Sequence, residues 1–152
     1  MTLSIFDMIK GIIFDFNRTL YNPDTKKLEE GALALLNDLY NYRLCLVAKR
    51  TTEDKENLIS GLGLNKYFLD IQIIDGHKQE SHFQRSLAQM RLSASQVTVV
   101  GDRIKEEIKL ANMMNMQTIW YRQGKFADEL PKEDFEFPTY TITKLEDLVY
   151  YL

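Results

Sequence analysis

Short apolar runs alternate with amphipathic segments along most of the chain. Apolar runs of strand length occupy residues 12–14, 44–48, 68–74, 97–100 and 118–121. Continuous apolar runs of this kind are typical of strands that are buried on both faces of a parallel sheet. Residues 140–142 have a more polar pattern, which indicates an edge strand.

Helical patterns fill most of the intervals between these runs. Apolar side chains three and four positions apart predict helices over residues 29–42, from Ser81 onwards, over 105–114 and over 144–152, with another between a Thr51 or Thr52 cap and Ser60. Because strands and helices alternate, residues 1–152 are predicted to form one α/β domain. Its expected architecture is a three-layer sandwich with a mainly parallel sheet and right-handed crossovers.

Polar side chains follow several of the predicted strands. Asp15 comes directly after the first strand, Lys49 after the second, Lys78 in the loop after the third and Asp102 after the fourth. Parallel strands place their carboxyl ends on one edge, where open α/β sheets bind ligands, so these side chains are expected to meet there. Asp15 is interpreted as a nucleophile or metal ligand, and a turn or helix-cap role is the alternative.

Composition limits the classes of function. The 152 residues are 45% hydrophobic and 27% charged, and the formal charge of −3 gives no general attraction to nucleic acid or anionic membranes. No apolar stretch is long enough to span a bilayer, and the N-terminus lacks the pattern of a signal peptide. The single cysteine, Cys45, excludes a disulfide framework within one chain. We therefore expect a cytoplasmic protein.

Four groups of residues occur in a characteristic order. They are Asp15-Phe16-Asn17-Arg18-Thr19, Ala48 at the end of the second strand, Lys78, and Gly101-Asp102 with Glu107 five residues after the aspartate. This order resembles the haloacid dehalogenase-like (HAD) superfamily, which consists mostly of magnesium-dependent phosphohydrolases. The resemblance extends from about residue 12 to residue 152 and implies a Rossmann-like parallel sheet.

The resemblance also implies catalytic and metal-binding roles. Asp15 would attack phosphorus and form an aspartyl phosphate, and Lys78 would bind the phosphate and offset its charge and that of the nucleophile. Mg²⁺ would be held by Asp15, Asp102 and the backbone carbonyl of Asn17, which are the hard oxygen ligands it prefers. Glu107 would hold the water shell of the metal or Lys78.

Substrate binding is assigned to residues around this centre. Thr19 lies at the turn after Asp15 and would support it. Lys49 and Arg50, together with Arg18, would attract an anionic substrate, and a solvated rim is the alternative interpretation.

Three departures from the family pattern bear on activity. Asn17 replaces a second aspartate that serves as general acid and base, a role typically worth roughly 10²–10⁴-fold in rate. Arg18 replaces the usual glycine. Ala48 lacks the hydroxyl expected there, unless Lys49, Arg50 or Thr51 substitutes for it. Turnover is therefore expected to be slow.

About thirty residues separate the first motif from the second and the second from the third, which leaves room for one helix each and none for a cap domain. The sequence thus predicts a capless, magnesium-dependent phosphatase that acts on a phosphorylated small molecule or macromolecule, with homo-oligomerisation left open. The alternative is a catalytically weakened domain that binds a phosphorylated ligand or protein partner. A dehalogenase is less favoured, because dehalogenases of this family usually carry a cap.

Overall fold

The computed structural model describes residues 8–152, so the expectation that concerns the first seven residues lies outside the described part. Six strands form one parallel sheet, and two short strands form a separate antiparallel pair. The sheet contains β1 (Gly11–Phe14), β4 (Arg43–Lys49), β5 (Asp70–Ile74), β6 (Val97–Gly101), β7 (Gln117–Tyr121) and β8 (Tyr140–Ile142), and the pair contains β2 (Tyr21–Asn22) and β3 (Lys27–Leu28). The order across the sheet is β5-β4-β1-β6-β7-β8.

Helices cover both faces of this sheet. The α-helices are α1 (Ala32–Asp38), α2 (Lys55–Gly61), α3 (Glu80–Met90) and α4 (Lys109–Met113). Short 3-10 helices occupy Asn65–Tyr67, Ala94–Gln96, Gly124–Phe126 and Leu145–Tyr151, and a π-helical turn occupies Ile104–Ile108. In the described part of the chain, no helix is long and apolar enough to cross a membrane.

The core divides into two layers because successive strand residues point to opposite faces. On one face, Ile12 and Phe14 pack beneath α1, α2 and the C-terminal 3-10 helix. On the other, Ile13 and Cys45 pack beneath α3 and α4. The predicted three-layer α/β sandwich with a parallel sheet is therefore confirmed, and no cap domain is inserted between residues 8 and 152.

The strand register aligns the residues that follow the strands. Phe14 lies beside Val100 of β6 and Leu46 of β4, so Asp15 leaves the sheet next to Gly101. Lys49 lies beside Ile74 at the end of β5. The carboxyl ends of four neighbouring strands thus meet along one edge, as predicted.

Several predicted element boundaries were wrong. Helix α2 begins later than predicted, because Asp54 rather than Thr51 or Thr52 caps it: its Oδ1 accepts a hydrogen bond from the Asn57 backbone N–H at 3.2 Å. The segment predicted as a final α-helix is 3-10 throughout, with no side-chain cap at its start. The pair β2–β3 lies between the first predicted strand and the first predicted helix, where neither a strand nor a helix was predicted.

Helix α3 also begins earlier than predicted. Gln79, not Ser81, is its N-cap, and the Gln79 backbone N–H donates to His82 Nδ1 at 2.9 Å. This contact satisfies one of the N–H groups that a helix N-terminus leaves unpaired.

Gly101 allows the segment after β6 to close tightly over the sheet. A Cβ atom at this position would overlap the side chain of Glu107, which is buried within the π-helical turn. Only glycine leaves this space. Packing therefore explains the glycine before Asp102, independently of the chemistry proposed for Asp102 itself.

We predict that Gly101→Ala destabilises the fold by about 1–3 kcal/mol, the usual range for overpacking. Urea unfolding followed by circular dichroism measures this change. Gly61→Ala is the matched control, because a Cβ there meets no atom within 4 Å and the position is helical. That variant should keep or gain up to about 1 kcal/mol. Equal stability of both variants would contradict this account of Gly101.

Candidate active site

A cavity of about 150 Å³ opens at the carboxyl edge of the sheet, and we call it the site cavity. It is lined by Asp15, Asn17, Arg18, Lys49, Thr51, Lys78, Asp102, Arg103, Glu106, Glu107 and Phe126. Depressions of about 350 and 410 Å³ lie elsewhere on the surface. The chemistry of its lining, rather than its size, makes the site cavity the candidate active site.

Lys78 connects two buried carboxylates at the floor of the cavity. Its Nζ donates to Asp15 Oδ1 at 2.5 Å and to Glu107 Oε1 at 2.7 Å. Burial alone would lower the pKa of Lys78, but the two carboxylates outweigh it and raise that pKa. Lys78 is therefore a permanent cation. Thr19 donates from Oγ1 to Asp15 Oδ2 at 3.1 Å, so both oxygens of Asp15 are held in place.

A third carboxylate joins this group. Asp15, Asp102 and Glu107 each place an oxygen within 4.8 Å of the others. Burial, followed by the charges of Asp15 and Glu107, raises the pKa of Asp102 to about 10. Burial likewise raises the pKa of Glu107 to about 7, with Asp15 adding to the effect and Lys78 opposing it. Asp102 and Glu107 therefore hold protons more tightly than free carboxyl groups do.

Asp102 carries an unsatisfied atom. Its Oδ2 is buried and has no hydrogen-bond partner among residues 8–152. Its main chain is well fixed, because the only tryptophan, Trp120, donates from Nε1 to the Asp102 carbonyl at 2.9 Å. A buried oxygen without a partner, next to two further carboxylates, fits a hard divalent cation such as Mg²⁺.

Glu106 is a site residue that the sequence did not reveal, since an acid in the first turn of a helix is an ordinary feature. Its Oε1 accepts from Lys49 Nζ at 3.4 Å and from the Lys78 backbone N–H at 3.3 Å. Burial opposes ionisation, but Lys78 and Lys49 lower the pKa of Glu106 overall. Glu106 thus ties the rim lysine to the loop that carries Lys78.

Arg18 adopts the left-handed conformation, with φ of 63°. This backbone region favours glycine, which explains why a glycine is usual at this position of the motif. The Arg18 guanidinium lines the site cavity and pairs with Asp24 at 3.0 Å. The cation predicted beside the site is therefore present, but an acid already holds it.

The cavity wall includes two more residues that were not predicted. The guanidinium of Arg103 stacks on the Phe126 ring at 3.8 Å and pairs with Glu129 at 3.0 Å. Phe126 and Glu129 belong to the polar segment after β7, which carried no sequence signal of a site. Pairing and stacking hold Arg103 in one orientation at the mouth of the cavity.

Lys55 is the least expected residue near the site. It is fully buried at the start of α2, and its Nζ donates to Asn17 Oδ1 at 3.2 Å. Burial lowers the pKa of Lys55, although Glu53 and Asp15 oppose the shift. Its sequence context, Glu53-Asp54-Lys55-Glu56, is typical of a solvated helix start, so no pattern could have singled it out.

The structure gathers most of the predicted site residues and sets others apart. Asp15, Asn17, Lys49, Lys78, Asp102 and Glu107 all line the site cavity. Arg50 does not, because it points along the surface and pairs with Glu56 and Asp75. Thr19 is buried behind Asp15, and Ala48 is buried in the core. Thr51, one of the proposed substitutes for the missing hydroxyl, does line the cavity.

Comparisons with known proteins agree with this geometry. The family model described as HAD-hydrolase-like matches residues 76–148. The chain is 33% identical to the glyceraldehyde 3-phosphate phosphatase of Pyrococcus furiosus. The alignment is 152 positions long and covers 85% of this chain and 62% of that protein. It is 34% identical to the enzyme of the same name from Methanocaldococcus jannaschii over 103 residues, which cover 65% of this chain and 43% of that protein.

A solved structure extends the likeness to the whole fold. The HAD-hydrolase YfnB from Bacillus subtilis, bound to magnesium, superposes with a TM-score of 0.80 at 16% identity, over 96% of this chain and 99% of that one. At this identity the match concerns the fold alone. The chain spans about two fifths to three fifths of the length of the two phosphatases. The motifs, the sheet order and the family model thus agree, and the fold is that of the haloacid dehalogenase-like superfamily.

Proposed function

We propose that this chain is a magnesium-dependent phosphoric ester hydrolase that acts through an aspartyl phosphate on Asp15. One observation carries the proposal: the buried Asp15 carboxylate, held by Lys78 and Thr19, lines a cavity in which Asp102 has a buried oxygen with no partner among the described residues. Such a constellation has the nucleophile, the orienting groups and the electrostatic partner that covalent catalysis needs.

Asp15 supplies the nucleophile in this scheme. Each of its oxygens accepts one hydrogen bond and keeps a further lone pair, one of which attacks phosphorus. The ester P–O bond breaks, and the leaving oxygen takes a proton from water, because Asn17 has none to give as an acid. Water then attacks the phosphoryl group on Asp15, releases phosphate and restores the carboxylate. Lys78 stays charged throughout and stabilises the negative charge near Asp15.

Asp15, Asp102 and the Asn17 carbonyl would hold Mg²⁺, with Glu107 fixing Lys78 beside them. When bound, the ion would supply charge that offsets the phosphoryl oxygens. The residues fit this role because, within the described residues, Lys78 is the only cation that forms ion pairs with the three carboxylates, and because hard oxygen ligands suit magnesium. YfnB, which has the same fold, was solved with magnesium bound.

The substrate is proposed to be a small phosphorylated metabolite. Two relatives are glyceraldehyde 3-phosphate phosphatases, and a cavity of about 150 Å³ suits a phosphoryl group with a short carbon chain. Asp24, Glu106 and Glu129 already pair with the rim cations, which leaves little free positive charge for a second anionic group. We propose a cytoplasmic location, where such metabolites occur.

A catalytically weakened domain that binds a phosphorylated ligand or protein partner is the second candidate. Asn17 favours it, since this residue cannot transfer the proton that rapid turnover needs. Ala48 also favours it, because the core position offers no hydroxyl to a phosphate. The two candidates share the same binding groups and differ only in turnover.

We predict that millimolar Mg²⁺ raises the melting temperature of the parent protein and not that of Asp102→Asn. At ten times the Kd, binding adds about 1.4 kcal/mol, or roughly 3–6 °C for a chain of this size. Because their pKa values are raised, Asp102 and Glu107 hold protons that the ion must displace when it binds. The rise in melting temperature caused by Mg²⁺ should therefore grow between pH 6 and pH 8, as these protons become easier to remove.

The metal-free protein should show the opposite trend. Carboxyl groups whose pKa is raised by folding hold protons that the unfolded chain has lost, so stability falls as pH rises towards and through 7.

The control for Asp102→Asn in the melting experiment is Asp38→Asn, which removes an exposed acid outside the site cavity. Fluorescence of Trp120, which touches the Asp102 main chain, gives a second signal of binding. An equal magnesium shift in Asp102→Asn would place the ion elsewhere.

We predict that Asp15→Asn abolishes hydrolysis of an aryl phosphate, and that Lys78→Met lowers it by roughly 10²–10³-fold. The first change removes the nucleophile and the second removes a charge next to it. Turnover with saturating magnesium is the measurement, and circular dichroism verifies folding. Lys66→Met, at an exposed lysine outside the site cavity, should keep parental activity. Parental turnover in Asp15→Asn would mean that Asp15 is structural.

We predict that Asn17→Asp raises turnover, which separates the two candidate functions. The new carboxylate could protonate the leaving oxygen and then activate water, a contribution of roughly 10²–10⁴-fold. The gain should lie at the lower end, because Lys55 would hold the new carboxylate in its ionised form. Release of phosphate by the parent and the variant measures the effect. A folded variant without any gain would favour the binding domain.

A further inference from the structure

Lys55 is a buried cation that the proposed chemistry does not use. It is 0% exposed, and its Nζ has two neighbours: Asn17 Oδ1 at 3.2 Å and the Phe16 ring at 5.4 Å from its centroid. Among residues 8–152, no carboxylate forms an ion pair with it. A buried ammonium without a counter-ion costs several kcal/mol of desolvation, which an amide oxygen and an aromatic face offset only in part.

The position of Lys55 adds to this cost. It is the first residue of α2, where the partial positive charge of the helix N-terminus disfavours a cation. A surface orientation would avoid both penalties. The side chain instead points inward to Phe16 and Asn17 in the loop after β1, and its hydrogen bond to Asn17 holds an amide that lines the site cavity.

The contact determines which way the Asn17 amide faces. A lysine ammonium only donates hydrogen bonds, so the oxygen of the amide must face Lys55 and its Nδ2 must face away. Asn17 lines the site cavity. Within the described residues, its Nδ2 has no hydrogen-bond partner. The amide nitrogen therefore keeps two N–H donors free, at a residue that lines the same cavity as Asp15 and Lys78.

We propose that Lys55 is a positioning residue that fixes the Asn17 amide so that Nδ2 donates a hydrogen bond to a phosphoryl oxygen of the ligand. The inference rests on the proposed function and deepens it. Where the family motif has a proton-carrying acid, this chain has a fixed donor. A neutral donor contacts the anionic phosphoryl group before, during and after transfer, so it mainly strengthens binding.

A double-mutant cycle tests the proposal on the full chain with Mg²⁺ present. The variants are Lys55→Met, Asn17→Ala and the double variant, and titration calorimetry measures their Kd for inorganic phosphate. Lys66→Met is the matched control, because this exposed lysine also lies over an aromatic ring, that of Tyr67, and does not contact Asn17. Each single variant should weaken phosphate binding by about 10- to 100-fold, as expected for a hydrogen bond to a charged group.

Coupling between the two residues distinguishes positioning from mere packing. Because Lys55 acts through Asn17, the double variant should bind phosphate no more than about twofold worse than Asn17→Ala alone. With an aryl phosphate, Lys55→Met should raise KM more than it lowers kcat. Phosphate affinity equal to that of the parent in a folded Lys55→Met, or losses that multiply in the double variant, would overturn the inference.

A measurement on the unmodified protein keeps the test independent of whether the variants fold. The Asn17 side-chain NH₂ signals in a ¹⁵N–¹H spectrum should shift on addition of phosphate. Bound phosphate without such a shift would overturn the contact and leave the proposed function intact. A parent protein that binds no phosphate in the presence of Mg²⁺ would instead overturn the proposed function.

Discussion

The buried charges at the carboxyl edge of the sheet do not balance, and this imbalance shapes the site. Asp15, Asp102 and Glu107 converge there, and Lys78 is the cation that contacts two of them directly. Carboxylates taken out of water at such short range keep their protons or acquire a counter-ion. The unpartnered oxygen of Asp102 is the visible consequence. A divalent cation would complete the arrangement that the strands, the π-helical turn and Gly101 hold together.

Much of this centre could be predicted from the sequence because topology determines it. In a parallel sheet, every strand delivers its following residue to the same edge, so Asp15, Lys78 and Asp102 had to approach one another. Glu107, five residues after Asp102, reaches the same edge for a similar local reason. The turn of chain after β6 brings the Glu107 side chain back against Gly101, where only glycine leaves room for it.

The remaining site residues depend on contacts that no sequence pattern records. Lys49 and Arg50 are neighbours after the same strand, yet Lys49 faces the cavity while Arg50 pairs along the surface with Glu56. Their directions depend on where acids from other elements happen to lie. Lys55 sits among charged residues and looked solvated, and Phe126 belongs to an irregular segment. The positions of these side chains are determined by tertiary packing, which overrides the structural preferences of the local sequence.

Asn17 changes the electrostatic character of the site as well as its proton chemistry. An aspartate at this position would add a fourth carboxylate to the edge and would pair with Lys55 in a neutral contact. With asparagine, Lys55 instead contacts a neutral amide, and the edge carries three carboxylates rather than four. The missing carboxylate removes a negative charge that would repel a phosphoryl dianion. In the proposed scheme, Asn17 thus removes both a proton carrier and a negative charge beside the ligand, and both effects follow from the loss of one ionisable group.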